Sequence, residues 1–317
     1  MNTGTKITAF AVALAASFGT AYGVGAAFDP VRSPEVGANA PEAGHAHDTG
    51  ADKGADVGAA QPAGGLAVSE AGYTLDLRTP HVGSGRPAEL RFLIRDADGH
   101  PLTSYRRAHE KELHLIVVSR DLTSYRHLHP VRAADGTWST PVSLPRAGDH
   151  RIFADFTPAA KGSRNLTLGA DLSVAGDHRP GSPAPVSRTA TVDGYTVTLH
   201  GGLQPGAARE LRLTVTKDGR EVTDLQPYLG AYGHLVALRA GDLAYLHVHP
   251  GGAPGDGATA PGPDVSFTAT APSAGTYRLF LDFKHRGTVR TAAFTVTAGP
   301  EDGHADADGG GTGGHGH

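Results

Sequence analysis

The sequence holds no cysteine, and its single methionine is Met1. Without thiolates there can be no disulfide framework, no iron–sulfur cluster and no blue-copper centre, and without an internal thioether there is no Met-based Cu(I) site. Aromatic residues are scarce at 6%, and Trp138 is the only tryptophan. Neither sign of charge dominates: 28 Lys and Arg stand against 32 Asp and Glu, a formal net charge of -4. That balance offers no basic footprint for nucleic acid and no polybasic patch for anionic lipid. Catalytic signatures are missing too. There is no Gly-rich phosphate loop, no Gly-x-Ser-x-Gly elbow and no His-Glu-x-x-His helix, so no enzyme is expected.

What the chain has in quantity is Gly 44, Pro 22 and His 18. The glycines and prolines announce many turns. A length of 317 residues with 39% hydrophobic content allows about two domains, each with its own core. At the N-terminus, Met1–Lys6 carries one cation and Ile7–Ala27 carries no charge, with small residues at Val24-Gly25-Ala26. Residues 1–27 therefore read as a signal peptide or as a retained membrane anchor, and both options stay open. Either one places the rest of the chain outside the cytoplasmic membrane, secreted or anchored to its outer face, with this segment as the only membrane contact. Residues 28–66, rich in Ala, Gly, Pro and acids, are expected to form a disordered tether. Residues 178–188 read as a Pro-rich linker, and 299–317 as a disordered tail rich in His, Gly and Asp.

The two remaining segments, 67–177 and 189–298, align with each other. Gly72-Tyr73-Thr74-Leu75 matches Gly194-Tyr195-Thr196-Val197, and Glu89-Leu90-Arg91-Phe92 matches Glu210-Leu211-Arg212-Leu213. Tyr125-Arg126-His127-Leu128-His129-Pro130 matches Tyr245-Leu246-His247-Val248-His249-Pro250. Ala147-Gly148-Asp149-His150-Arg151-Ile152-Phe153-Ala154-Asp155-Phe156 matches Ala274-Gly275-Thr276-Tyr277-Arg278-Leu279-Phe280-Leu281-Asp282-Phe283. Four matches in the same order indicate a tandem duplication. Each copy shows short runs of period-two alternation broken by turn signals such as Asp98-Gly99 and Asp218-Gly219, with no helical pattern. The expected fold is all-β: two tandem antiparallel β-sandwiches of immunoglobulin-like or cupredoxin-like type. Trp138, at the place taken by Phe267 in the second copy, is expected in the core.

The spacing His-x12-His-x-His-Pro occurs in both copies, as His114, His127, His129 and as His234, His247, His249. Two His separated by one residue share a strand face, so both rings can reach one ion. Whether His114 or His234 joins its returning pair depends on a hairpin register that spacing leaves open. His285 is a candidate fourth ligand in the second copy, and the first copy has Pro158 there, so the second copy is the favoured site. Imidazole ligands suit Cu(II) before Zn(II). The competing reading is a structural cluster of hydrogen-bonded histidines in an envelope module that binds another protein. Asp155 and Asp282 are matched acids expected to bond a neighbouring strand or to orient a histidine. His45, His47, His304, His315 and His317 lie in terminal tracts that suit loose divalent binding. His81, His100, His109, His150, His178 and His200 repeat no spacing and suggest no role.

The stretches Leu229-Gly230-Ala231-Tyr232-Gly233-His234-Leu235-Val236 and Tyr245–Pro250, with Glu112–Val118 and Arg126–Pro130 in the first copy, resemble a family of actinobacterial secreted or membrane-anchored proteins. That resemblance covers both copies and implies an envelope location. At the level of fold the copies are similar to small periplasmic copper carriers of the CopC type, which implies copper as the cargo, with zinc left as the second choice by the imidazole donors alone. This chain lacks the free N-terminal His and the Met-rich site of those carriers. The resulting expectation is a non-enzymatic extracytoplasmic binder of a divalent transition metal, acting in sequestration or delivery.

Overall fold

Leu90, Phe92 and Ile94 alternate with Glu89, Arg91 and Leu93, and Leu211, Leu213 and Val215 alternate with Glu210, Arg212 and Thr214. The first member of each set is 0% exposed, so period-two alternation makes each run a strand with one face in a core. The computed structural model describes residues 63–246 and 248–299. The expected leader, the tether up to residue 62, the tail from residue 300 and His247 lie outside the described residues.

The first copy contributes β1 (Ser69–Glu70), β2 (Tyr73–Leu77), β3 (His81–Gly83), β4 (Pro87–Arg95), β5 (Tyr105–Arg106), β6 (Leu113–Ser119), β7 (Tyr125–Leu128), β8 (Val131–Arg132), β9 (Trp138–Ser143), β10 (Gly148–Pro158) and β11 (Leu166–Ala175). The second contributes β12 (Thr189–Val192), β13 (Tyr195–Gly201), β14 (Ala208–Lys217), β15 (Arg220–Glu221), β16 (Gly233–Arg239), β17 (Tyr245–Leu246), β18 (Val248–Pro250), β19 (Asp264–Thr270), β20 (Gly275–His285) and β21 (Thr288–Ala298). The described residues contain no helix long and apolar enough to cross a membrane.

Each copy is a two-sheet sandwich. In the first, sheet β1-β2-β4-β9-β8 faces sheet β3-β11-β10-β6-β7; in the second, sheet β12-β13-β14-β19-β18 faces sheet β17-β16-β20-β21. Pairing is antiparallel except where β3 runs parallel to β11. One core gathers Phe92, Trp138, Ile152 and Phe156, and the other gathers Tyr195, Phe267, Tyr277 and Phe294. The registers correct one expected equivalence. Phe92 lies opposite Trp138 and Leu90 opposite Thr140, whereas Leu211 lies opposite Phe267. Since Leu90 matches Leu211, the counterpart of Phe267 is Thr140, and Trp138 corresponds to Val265. Trp138 is nonetheless a core residue.

A third core lies between the sandwiches. Ile116 and Val118 of β6, Phe153 of β10, Val236 and Leu238 of β16 and Phe280 of β20 are buried together there. Tyr125 stacks on Phe280 with ring centroids 4.1 Å apart, and its counterpart Tyr245 packs on Phe153, the counterpart of Phe280, at 5.6 Å. This exchange of equivalent contacts is what two copies related by a two-fold axis would make. It also explains why β20 is not half-buried as its alternation suggests: Phe280 and Asp282, on its outer face, are as covered as Leu279 and Leu281.

The end of the expected tether joins this seam. Gly64 exchanges backbone hydrogen bonds with Tyr245 of the second sandwich, and the Gly65 N–H donates to Thr167 O of the first. Arg151 donates to the carbonyls of Gly65 and Leu66. A tether running to residue 66 is thus corrected at its last residues, and glycine is the reason. Gly65 has φ +74°, and a Cβ there would stand 2.3 Å from the Phe153 ring. The expected linker is docked as well, through Gly181 N–H to Asp121 and Arg146 to Arg179 O.

Candidate metal centre

Strand parity decides which side chains reach the seam. In β6, Leu113, Leu115 and Val117 enter the first core, so His114, Ile116 and Val118 face the second sandwich. β7 returns with Ile116 opposite His127 and Leu115 opposite Leu128, which continues to place His129 beside His114 on that same face. The hairpin register is therefore the one that unites the first copy's three histidines. In β16, His234 shares its face with Val236 and Leu238, and in β20 Asp282 shares its face with Phe280. Histidines from one sandwich and a histidine and a carboxylate from the other meet at one end of the interdomain core.

The rings are close. Centroids of His127 and His234 lie 4.6 Å apart, those of His127 and His129 4.7 Å, and those of His114 and His234 5.3 Å with the planes stacked at 15°. One nitrogen each of His114, His127 and His234 fall within 4.8 Å of one another. His114 is 4% exposed, and the side chains of His127 and Asp282 are each 3% exposed. Across the seam, His127 Nδ1 donates to Asp282 Oδ2 at 2.8 Å, while Thr291 Oγ1 donates to Asp282 Oδ1 at 2.5 Å. His114 Nε2 donates to Ala108 O at 3.1 Å.

These outer bonds set the tautomers. Each ring uses its N–H on an outer acceptor, so in the neutral rings His114 Nδ1 and His127 Nε2 present lone pairs to each other. They stand 3.1 Å apart. Two lone pairs at that distance repel unless a cation lies between them. Nitrogens sharing one ion at about 2.0–2.1 Å would stand about 2.9–3.3 Å apart. Two further nitrogens, His234 Nδ1 and His129 Nε2, are buried without a hydrogen-bond partner. Such an unpaired group costs about 1–3 kcal/mol unless something satisfies it.

Electrostatics keep three of the rings, His114, His129 and His234, uncharged. Burial, and next the neighbouring His127, hold His114 down at about 3 and His129 at about 4. The same causes push His234 well below the ordinary imidazole value. Neutral imidazole is the form that ligates metal, so these rings need not lose a proton at neutral pH to bind.

Among the described residues, the histidines that come together form a cluster built from both copies, while His247 of the expected second-copy set lies outside the described residues. The structure corrects His285 as a companion of His234. His285 has the parity of Leu279, Leu281 and Phe283 and turns into the second sandwich, away from Asp282. There its Nε2 donates to Asp224 Oδ1 at 2.9 Å and its Nδ1 accepts from Tyr195 OH at 2.6 Å. Replacing His285 by alanine should cost about 1–3 kcal/mol in urea unfolding, by orphaning the buried Tyr195 hydroxyl, and leave metal affinity unchanged. A matching loss of affinity would return His285 to the site. His249 is exposed on β18, which pairs with β19 in the other sheet. The orienting role open to Asp282 is realised on His127, across the domain boundary. Asp155, its counterpart, accepts from Asn165 Nδ2 at 2.8 Å. His109, without repeated spacing, stands beside the cluster; its one sequence signal is that it precedes His114 by five residues, as Leu229 precedes His234.

Among curated proteins none matches the chain. Solved structures similar to it include the adhesin InvE of Yersinia pseudotuberculosis, at 14% identity over 72% of this chain and 58% of that one, with a TM-score of 0.21. The Escherichia coli adhesin FdeC matches at 16% identity over 74% and 66%, TM-score 0.22. InvD of Yersinia pseudotuberculosis matches at 13% over 73% and 58%, TM-score 0.24. The chain spans less than two thirds of each of these structures, and none of the likenesses bears on the histidine cluster. One family, described as "Domain of unknown function (DUF8832)", matches twice, at residues 67–167 and at residues 190–299. Both sandwiches, and with them the larger part of the chain, thus answer to a single description, and the chain belongs to the DUF8832 family.

Proposed function

We propose that this chain is an extracytoplasmic binder of a divalent transition metal, Cu(II) before Zn(II), acting in sequestration or delivery. The observation that carries the reading is the pair of nitrogens on His114 and His127, which stand 3.1 Å apart while the opposite nitrogens of the two rings bond to Ala108 O and Asp282 Oδ2. A metal ion bound there would take up both nitrogens together with a nitrogen of His234, which lies within 4.8 Å of them. An all-imidazole donor set in a chain without Cys or internal Met favours Cu(II) by affinity order. Asp282 would fix the ring of His127 through its Nδ1–H, the usual office of a carboxylate behind a ligating histidine. The charge-free segment Ile7–Ala27 supports an extracytoplasmic location.

A second reading keeps its place because the same contact allows it. If a proton rather than a metal ion bridges His114 and His127, the cluster is a structural tie between the sandwiches of an envelope module that binds another protein.

Calorimetric titration of the full chain with Cu(II) and with Zn(II) separates the two. The terminal His tracts are common to all variants, so the informative quantity is the difference from His114→Ala/His234→Ala. The wild type should bind one equivalent that the double variant lacks, and Asp282→Asn should weaken that equivalent by about 10–100-fold. Identical isotherms for wild type and double variant would leave the structural tie as the surviving reading.

A further inference from the structure

His109 stands at the mouth of the cluster and is exposed. Its ring centroid lies 5.8 Å from that of His234 and 6.1 Å from that of His114, edge-on to both. Its nitrogens are not part of the tight group formed by His114, His127 and His234. It is therefore one step outside the buried site while touching two of its rings. A cavity of about 130 Å³ opens at the same place, lined by His109, Lys111, Glu112, His114, Asp155 and His234 among others. That is far above the roughly 10–15 Å³ that admits one water, so an ion has room to pass.

The duplication supplies an internal comparison. His109 sits in a tight turn closed by hydrogen bonds between Ala108 and Lys111, with φ 50° at His109 and 65° at Glu110. The second sandwich has the same turn between Tyr228 and Ala231, with φ 56° at Leu229 and 75° at Gly230. Leu229 occupies the equivalent of His109 and is 3% exposed. One turn thus sets a buried leucine and the other an exposed imidazole beside a cavity. An ion moving into a dry pocket must shed its water, and the cost falls if each lost water is replaced by a ligand in turn.

We infer that His109 is the port of the site: it captures a hydrated divalent ion at the mouth and passes it to His114 and His234. The inference rests on the metal-binding reading above and assigns that site its route of loading. A residue that only lowers the barrier speeds capture and release alike, so its removal slows both and leaves the equilibrium nearly unchanged.

The test is rapid mixing of the full chain with Cu(II), followed by quenching of intrinsic tyrosine and tryptophan fluorescence. The phase belonging to the site is the one missing from His114→Ala/His234→Ala. His109→Asn is the variant of choice, because Asn accepts positive φ and the turn survives. Capture and release should each slow by about tenfold or more, with the dissociation constant held within about threefold. A fall in affinity at an unchanged capture rate would make His109 a standing ligand and overturn the port, as would unchanged rates in both directions. If the wild type shows no phase beyond that of the double variant, the metal site itself fails and the port with it. A normal site phase with unaltered His109→Asn kinetics removes the port alone.

Discussion

Cu(II) held at about a thousand times its dissociation constant is expected to raise the thermal unfolding midpoint of the full chain by about 8–16 °C. An ion that binds only the folded state contributes about 4 kcal/mol at that excess, and each kcal/mol moves the midpoint of a chain this size by about 2–4 °C. The effect should be global, because His114 and His127 come from one sandwich and His234 from the other. Unfolding either sandwich releases the ion, so bound metal makes the two unfold as one. Without metal the same rings make the fold acid-sensitive. The folded values of His114, His129 and His234 lie below the ordinary imidazole value near 6.5, so the unfolded chain takes up protons first as the pH falls. Stability is then fully present above about pH 6.5 and is lost as the pH drops toward the folded values. Those are about 3 for His114 and about 4 for His129. Differential scanning calorimetry with and without Cu(II), from pH 7.5 to 4.5, checks both parts. A midpoint that rises equally in His234→Ala would show the ion acting elsewhere, and an apo midpoint flat with pH would contradict the buried neutral rings.

Phe280→Ala should cost about 3–5 kcal/mol, the range for a large aromatic removed from a packed core. Phe280 is 3% exposed, lies in the seam between the sandwiches and stacks on Tyr125 with the planes 7° apart. The residues of that seam are distinct from those of either sandwich's own core. Removing Phe280 should therefore uncouple the sandwiches before it unfolds them. Urea unfolding of the wild type is expected as one transition and that of the variant as two. Phe153→Ala, at the matched position against Tyr245, should act in the same direction. A single transition shifted by less than about 1 kcal/mol would mean that the seam contributes little to cooperativity.

Much of the candidate site was legible, residue by residue. The repeated spacing named His114, His127, His129 and His234, and the matched acids named Asp282. Even the separation of His285 from Asp282 followed from parity, because residues 282 and 285 differ by an odd number along one strand. What alternation could not say is that both faces of β20 are buried, one in its own sandwich and one in the seam. A strand that reads as half-buried looks the same whether its polar face meets water or another copy of the fold. His109 suggested no role for a related reason: its partner across the duplication is a leucine, and the link between them is a turn shape rather than a residue type.

The amino-acid sequence by itself determined the chemistry available and the repeating unit. No thiolate or internal thioether exists, imidazole abounds, and two copies of one all-β pattern each carry three histidines in fixed spacing. Local periodicity governs those features, and local periodicity can be read from order along the chain. Only the tertiary structure decided that the copies pack sheet against sheet and share one cluster. It also decided that Asp282 of the second sandwich orients His127 of the first, residues 155 positions apart in sequence. The reason is that docking between domains depends on which apolar faces find each other in space. Ile116, Val118, Val236, Leu238 and Phe280 form that face only after each sandwich has folded.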